Sequence, residues 1–154
     1  MKHEPNYPKL QPVRRLLVCL DLTAIDTFLI SYAAFIARAL PAEKVTFLHA
    51  IQAYDLPDRA NREFPDVETE LNAMIREEMH KSVDKNFEET CYWEVATLVG
   101  YEDAAREVLD YIAANDIDLT LLGQKFGENR EARYGHKIAA EGGSDILFVP
   151  PYAE

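Results

Sequence analysis

Residues 123–137, GQKFGENREARYGHK, have the residue types of an anion-binding segment. Gly123, Gly127 and Gly135 would allow backbone N–H groups to approach a phosphate, and neighbouring cations would complete such a site. The basic residues of the segment are Lys125, Arg130, Arg133, His136 and Lys137. The same pattern is also typical of turn glycines among solvated surface charges, so both interpretations stay open.

Asp21 is a second candidate, because it directly follows the apolar run Leu16–Leu20. A carboxylate at the carboxyl end of a buried strand can contact a ribose or a base in a ligand cleft. It can instead accept hydrogen bonds from the first amides of the following helix. The sequence by itself leaves these two roles of Asp21 open.

Composition excludes several classes of function for this chain of 154 residues, which has a formal net charge of −11. A charge of that sign repels phosphate backbones and anionic lipid headgroups, so we expect neither nucleic-acid nor membrane binding. The longest uncharged stretch, Thr27–Ala37, is much shorter than a bilayer span. With no export signal at the start, the sequence predicts a cytoplasmic protein.

Cysteine and histidine spacing indicates neither a disulfide framework nor a metal site. Cys19 and Cys91 are far apart in the chain, so we expect both to be reduced thiols. The four histidines are scattered, without a cysteine or carboxylate at ligand spacing. We therefore predict no bound metal.

The elements that must position these candidates follow from the hydrophobic pattern, in the order β-α-β-α-β-α-β-(α)-β. Thr23, with Asp26 three residues later, predicts a capped first helix. The segment 123–134 follows the fourth strand, and Ile138–Glu141 allows only about one helical turn before Gly142 and Gly143. The predicted strands are Leu16–Leu20, Val45–Ile51, Trp93–Val99, Leu119–Leu122 and Asp145–Val149, and a long helix is predicted over Asp66–Glu89.

Five strands alternating with helices predict a single α/β domain, an open parallel sheet covered by helices on both faces. We assign residues 13–154 to this domain and residues 1–12, which contain three prolines, to an extended N-terminal leader. Ligands of such sheets bind beyond the carboxyl ends of the strands, where the strand order reverses. That edge would contain Asp21 and the start of the segment 123–137.

The chain resembles the universal stress protein family from Val13 to Tyr152. The resemblance rests on the segments LLVCLDLT, VTFLHAI, VGYEDAAREVLDYIAANDIDLTLLG and ILFVP. It implies an adenine nucleotide alpha hydrolase-like fold with strand order 3-2-1-4-5, four helices and often a homodimer. In one subset of the family, ATP is held by the loop after strand four.

The motif of the ATP-binding subset is G-x2-G-x9-G-[ST], and this chain departs from it. Here three residues separate Gly123 from Gly127, seven separate Gly127 from Gly135, and His136 replaces the hydroxyl residue. The altered spacing changes which amides converge on a phosphate, so we expect ATP to bind weakly or not at all. If a nucleotide binds, the resemblance places Asp21 near the adenosine, Ala50 beside the base, and Gly123, Gly127, Gly135 and His136 around the phosphates.

The resemblance implies a non-enzymatic stress-response or regulatory protein, dimeric through its last strand and acting on unidentified protein partners. The alternative is a small enzyme acting on a nucleotide or phosphate ester through Asp21 and the loop after strand four. A hydrolase needs a base beside its nucleophile, or a metal with several carboxylates, and only Asp21 is placed for such work. The pattern does not favour a phospho-acceptor receiver, because Leu20 and Leu22 flank Asp21 where paired acids are required and Gly100 ends strand three where an Asp is required.

Overall fold

The computed structural model of the chain describes residues 13–52, 66–88, 91–100, 104–123 and 133–149. The predicted leader, residues 1–12, and the predicted site residue Gly127 lie outside these ranges. Strands and helices alternate as the sequence predicts. The strands are β1 (Arg15–Cys19), β2 (Lys44–Gln52), β3 (Tyr92–Gly100), β4 (Leu119–Gly123) and β5 (Asp145–Val149). The helices are α1 (Ile25–Ala39), α2 (Asp66–Asn86), α3 (Ala104–Ala114) and α4 (Arg133–Glu141).

All strand pairs of the sheet are parallel, in the order β3-β2-β1-β4-β5. This confirms the predicted fold class and strand order. β1 lies in the middle because it is apolar on both faces: Leu16, Leu17 and Val18 have no exposed surface.

Helices cover both faces of the sheet, as predicted. Helices α1 and α2 pack on the face that contains Leu16, Val18 and Phe47. Helices α3 and α4 pack on the other face, where Leu17 and Leu122 are buried. The alternation of neighbouring β1 residues between two cores follows from the two-residue period of a strand.

Asp118 anchors the beginning of β1 to the beginning of β4. Its carboxylate oxygen Oδ2 accepts hydrogen bonds from the backbone N–H groups of Arg14 and Arg15, each at 2.9 Å. The Asp118 amide in turn donates to the Arg15 carbonyl at 2.9 Å. One acidic residue therefore fixes where the central strand enters the sheet.

Two details of the last and first helices correct the sequence analysis. Helix α4 has nine residues, Arg133–Glu141, and not the single turn expected over Ile138–Glu141. Gly135 is therefore helical. A glycine inside a helix lowers its stability by about 1 kcal/mol relative to alanine, and the complete burial of Ile138 offsets this loss. Thr23 does not cap α1, whose N-cap is Ala24 without a side-chain hydrogen bond.

Gly142 ends α4 in a position that has no room for a side chain. A Cβ atom on Gly142 would lie 2.6 Å from the Ile138 carbonyl oxygen. The Gly142 amide donates to that same oxygen at 2.8 Å. At Gly143, an added Cβ would meet no described atom within 4 Å.

We therefore expect Gly142→Ala to lower the free energy of unfolding by about 1–2 kcal/mol, because the backbone must move to relieve the clash. Gly143→Ala is the matched control and should leave the free energy of unfolding nearly unchanged. Urea unfolding of both variants measures the difference. Equal stabilities of the two variants would contradict the predicted clash.

Candidate functional site

The carboxyl ends of β1, β2 and β4 bring three predicted site residues to one edge of the sheet. In the strand register, Cys19 lies beside Leu48 of β2 and Leu122 of β4. Gly123 directly follows Leu122. Asp21 comes two residues after Cys19, and Ala50 comes two residues after Leu48. The structure thus brings Asp21, Ala50 and Gly123 to the same edge.

Asp26 holds the turn between β1 and α1. Its Oδ1 atom accepts the Asp21 backbone N–H at 3.1 Å, and its Oδ2 atom accepts the Leu22 backbone N–H at 2.9 Å. Asp26 lies on the buried face of α1 and is only 7% exposed. Its carboxylate therefore fixes the backbone that carries Asp21.

Burial raises the pKa of Asp26 to about 7. Repulsion from the neighbouring Asp21 carboxylate, and a side-chain hydrogen bond with it, act in the same direction. The two backbone N–H groups act in the opposite direction, since they stabilise the charged form. Near neutral pH, the Asp26 carboxyl therefore exists in both protonation states.

Sequence analysis gave Asp26 only a capping role and missed its place in the site. The available signal is its position in α1, at helical spacing from the buried residues Leu29, Ile30 and Ala33. An acid within an apolar helical stripe must find hydrogen-bond donors on folding. For Asp26 these donors come from the turn that precedes the helix.

Asp21 forms a local turn and does not cap the helix. Its Oδ1 atom accepts the backbone N–H of Thr23 at 3.1 Å and the Thr23 hydroxyl at 2.5 Å. Between these residues, Leu22 has a φ of 62°, in the left-handed region that branched side chains rarely adopt. Asp21 itself is half-buried.

His49 joins the carboxyl ends of β1 and β2. Its Nδ1 atom lies 2.8 Å from the Leu20 carbonyl oxygen, which can only accept, so Nδ1 carries the proton. Burial lowers the pKa of His49, against the opposing effects of this hydrogen bond and the Asp21 charge. His49 is therefore a neutral, structurally bound histidine at pH 7.

Ala50 and Gly123 contribute small residues to the edge. Ala50 is partly buried against the core below α3. A Cβ on Gly123 would make only ordinary contacts, 3.7 Å from Leu29 and 3.9 Å from Ile25. The fold itself thus has room for a side chain at residue 123.

Gly135 and His136 lie near the start of α4, within Arg133–Glu141. Their role beside a phosphate stays a prediction. The described residues contain no cluster of His, Cys, Asp or Glu arranged to hold a metal ion. None of the described helices has both the length and the apolar composition to cross a membrane.

No protein-family model matches the sequence. A search of curated proteins finds no match either. Solved structures, however, have the same fold. A universal stress protein family protein from Burkholderia pseudomallei is 12% identical, with a TM-score of 0.67, and the match covers 93% of this chain and 100% of that chain.

Two further structures are nucleotide complexes. A universal stress protein in complex with cAMP is 17% identical, with a TM-score of 0.63 over 90% of this chain and 98% of that chain. A family protein from Arabidopsis thaliana with AMP bound is 10% identical, with a TM-score of 0.60 over 91% of this chain and 93% of that chain. The chain therefore has the fold of universal stress protein structures, as its motifs predict.

We expect the Asp26 carboxyl to titrate near pH 7 in the folded protein, well above the ordinary value of 3.8. Its contribution to the free energy of unfolding is therefore complete below about pH 4 and is lost as pH rises through about 7. In Asp21→Asn, the pKa of Asp26 should fall, because the repelling charge is removed. Carboxyl 13C NMR titration measures both values. Titration of Asp26 near pH 4 in the wild type would contradict this assignment.

Proposed function

We propose that this chain is a member of the universal stress protein family that binds an adenine nucleoside monophosphate and acts as a regulatory protein without catalysis. The observation that carries the proposal is the convergence of Asp21, Ala50 and Gly123 at one edge of the sheet. In an open parallel sheet, this edge next to the central strand is where nucleotides bind.

Each of the three residues has a chemical task in such a site. Asp21 offers carboxylate oxygens to ribose hydroxyls, and its direction is fixed by Asp26 and Thr23. Ala50 leaves space for a planar base beside β2. Gly123 allows a phosphate to approach the backbone at the end of β4, where a side chain would intervene.

A monophosphate fits this chain better than a triphosphate. The glycine spacing after β4 departs from the pattern of the ATP-binding subset, and the chain has a net charge of −11. Each additional phosphate therefore adds repulsion without a matching set of amides. The complexes of similar structures with cAMP and AMP support the same preference.

The proposal that the chain is not catalytic rests on the hydrogen bonds that the titratable groups at this edge make. Asp26 uses both carboxylate oxygens for backbone N–H groups. The Nδ1 atom of His49 is bound to the Leu20 carbonyl. Among the described residues, neither Asp26 nor the Nε2 atom of His49 is hydrogen-bonded to a hydroxyl or thiol group, whereas hydrolysis requires a base beside its nucleophile.

We expect calorimetry at moderate salt to give a dissociation constant for AMP at least about tenfold lower than those for ATP and GMP. Asp21→Asn should weaken AMP binding by about fivefold to tenfold, because a charge-assisted hydrogen bond to the ribose becomes neutral. The Asn side chain keeps the Oδ1 atom that accepts from Thr23, so the variant should unfold at the same urea concentration or a higher one.

Asp110→Asn is the control, because Asp110 lies on α3 and pairs with Arg106 at 3.3 Å. A micromolar ATP dissociation constant with weaker AMP binding would contradict the monophosphate preference. Release of phosphate or adenosine from any of these nucleotides would favour the alternative, a small enzyme acting through Asp21.

Dimerisation through β5 is the second part of the proposal. β5 forms one edge of the sheet and pairs only with β4 among the described strands. It is apolar on both faces: Leu147 packs on the α1 side, whereas Ile146 and Phe148 pack on the other side. An exposed apolar edge of this kind invites pairing with another strand, and a second β5 would cover it symmetrically.

We expect sedimentation at micromolar protein concentration to give a particle of twice the 17.6 kDa chain mass. The mass should change little with added salt, since the proposed contact consists of backbone hydrogen bonds and apolar side chains. A single species of the chain mass under these conditions would contradict the dimer.

A further inference from the structure

A cavity of about 400 Å³ lies between the turn that precedes α1 and the middle of α2. Of the described residues, six apolar ones line it, among them Leu22 of the turn and Met74 and Met79 of α2. This volume is within the range of small-molecule sites, and methionine side chains adapt to ligands of different shape. Asp21, Ala50 and Gly123 are not among the lining residues, whereas Leu20, Leu22 and Thr23 are, so the cavity adjoins the sheet edge proposed for a nucleotide without including its three residues.

Leu22 and Met74 are two large apolar residues that remain exposed at this cavity. Leu22 is 46% exposed and Met74 is 64% exposed. Leu22 also has the φ of 62° described above, a conformation in which glycine or asparagine would be less strained. A half-exposed leucine in that conformation adds little to the core, which points to a ligand as the partner of its side chain.

The charges of the cavity determine which ligand fits. Two carboxyl groups, those of Asp26 and Glu78, line it, and no Lys, Arg or His does so among the described residues. Lys81 pairs with Glu78 at 3.4 Å but is not part of the lining. Asp21, hydrogen-bonded beside Asp26, adds a further negative charge. A phosphate or carboxylate would be repelled here, whereas a cation would be attracted.

We propose that this cavity binds a small apolar molecule that carries a protonated amine. The apolar part would lie between Leu22 and Met74, and the ammonium group would donate a hydrogen bond to the carboxylate of Glu78 and lie beside the carboxyl group of Asp26. The proposal does not depend on nucleotide binding, because the two sites have different linings.

The test is a 1H–15N NMR titration of the full chain with phenylbutylamine, and separately with phenylbutanol and phenylbutyrate. The three probes share the apolar part and differ in charge. We expect the amine to shift the amide signals of Leu22, Met74 and Glu78. The alcohol should bind about fivefold to tenfold more weakly, since it lacks a charge-assisted hydrogen bond, and the carboxylate should cause no shifts.

Two pairs of variants separate a ligand role from a structural one. Glu78→Gln should reduce the preference for the amine over the alcohol by at least about threefold. Glu77→Gln is its matched control, because Glu77 also pairs with Lys81, at 3.6 Å, but does not line the cavity. Leu22→Asn relieves the strained backbone and should keep or raise stability while weakening amine binding by about fivefold.

Equal binding of the three probes, or shifts outside the turn and α2, would overturn the proposal. So would an unchanged amine affinity in Leu22→Asn when that variant is folded. Addition of AMP should not displace the amine, and displacement would show that the two sites are one. Failure of AMP to bind leaves the amine prediction intact, so the two proposals fail separately.

Discussion

The buried carboxyl group of Asp26 is the constraint on which the sheet edge at the end of β1 depends. Its low exposure requires hydrogen-bond donors, and the backbone N–H groups of Asp21 and Leu22 provide them. A hydrogen bond to a charged group contributes about 1.5–3 kcal/mol, and an unsatisfied buried acid would cost at least as much. The turn after β1 is therefore held in one conformation, with Leu22 at positive φ and the Asp21 side chain at the edge of the sheet.

Two acidic residues thus hold the two ends of the central strand by the same means. Asp118 accepts two consecutive backbone N–H groups at the start of β1, and Asp26 accepts two at its end. The first contact sets the register of β1 against β4, whereas the second sets the direction in which the chain leaves the sheet. Each carboxyl group accepts hydrogen bonds from backbone N–H groups at an end of the strand. These N–H groups would otherwise lack a partner.

The same arrangement determines how charge is distributed at this edge of the sheet. Burial raises the pKa of Asp26 and lowers the pKa of His49, so neither group is fully charged near pH 7. Both are hydrogen-bonded to backbone atoms of the β1 end. These hydrogen bonds make the edge rigid. The negative charge of the edge lies mainly on Asp21, the residue proposed to recognise a ribose.

The sequence by itself determined the order of elements, the parallel sheet and the edge at which Asp21, Ala50 and Gly123 meet. Those features follow from local hydrophobic periods and from the apolar run of β1, which requires a central position between two layers of helices. Position along parallel strands then decides which residues share an edge. The motifs that resemble universal stress proteins indicate the same fold and, in addition, its strand order.

Only the tertiary structure decided the role of Asp26, the length of α4 and the existence of the cavity beside α2. The donors to Asp26 lie only four and five residues before it, but the burial that makes them necessary arises only when α1 packs against the sheet. Helix α4 extends through Gly135 because burial of Ile138 offsets the helix propensity of a glycine. The cavity arises where α2 packs beside α1 and leaves Leu22 and Met74 uncovered, since the distance between two helices depends on all the side chains packed between them.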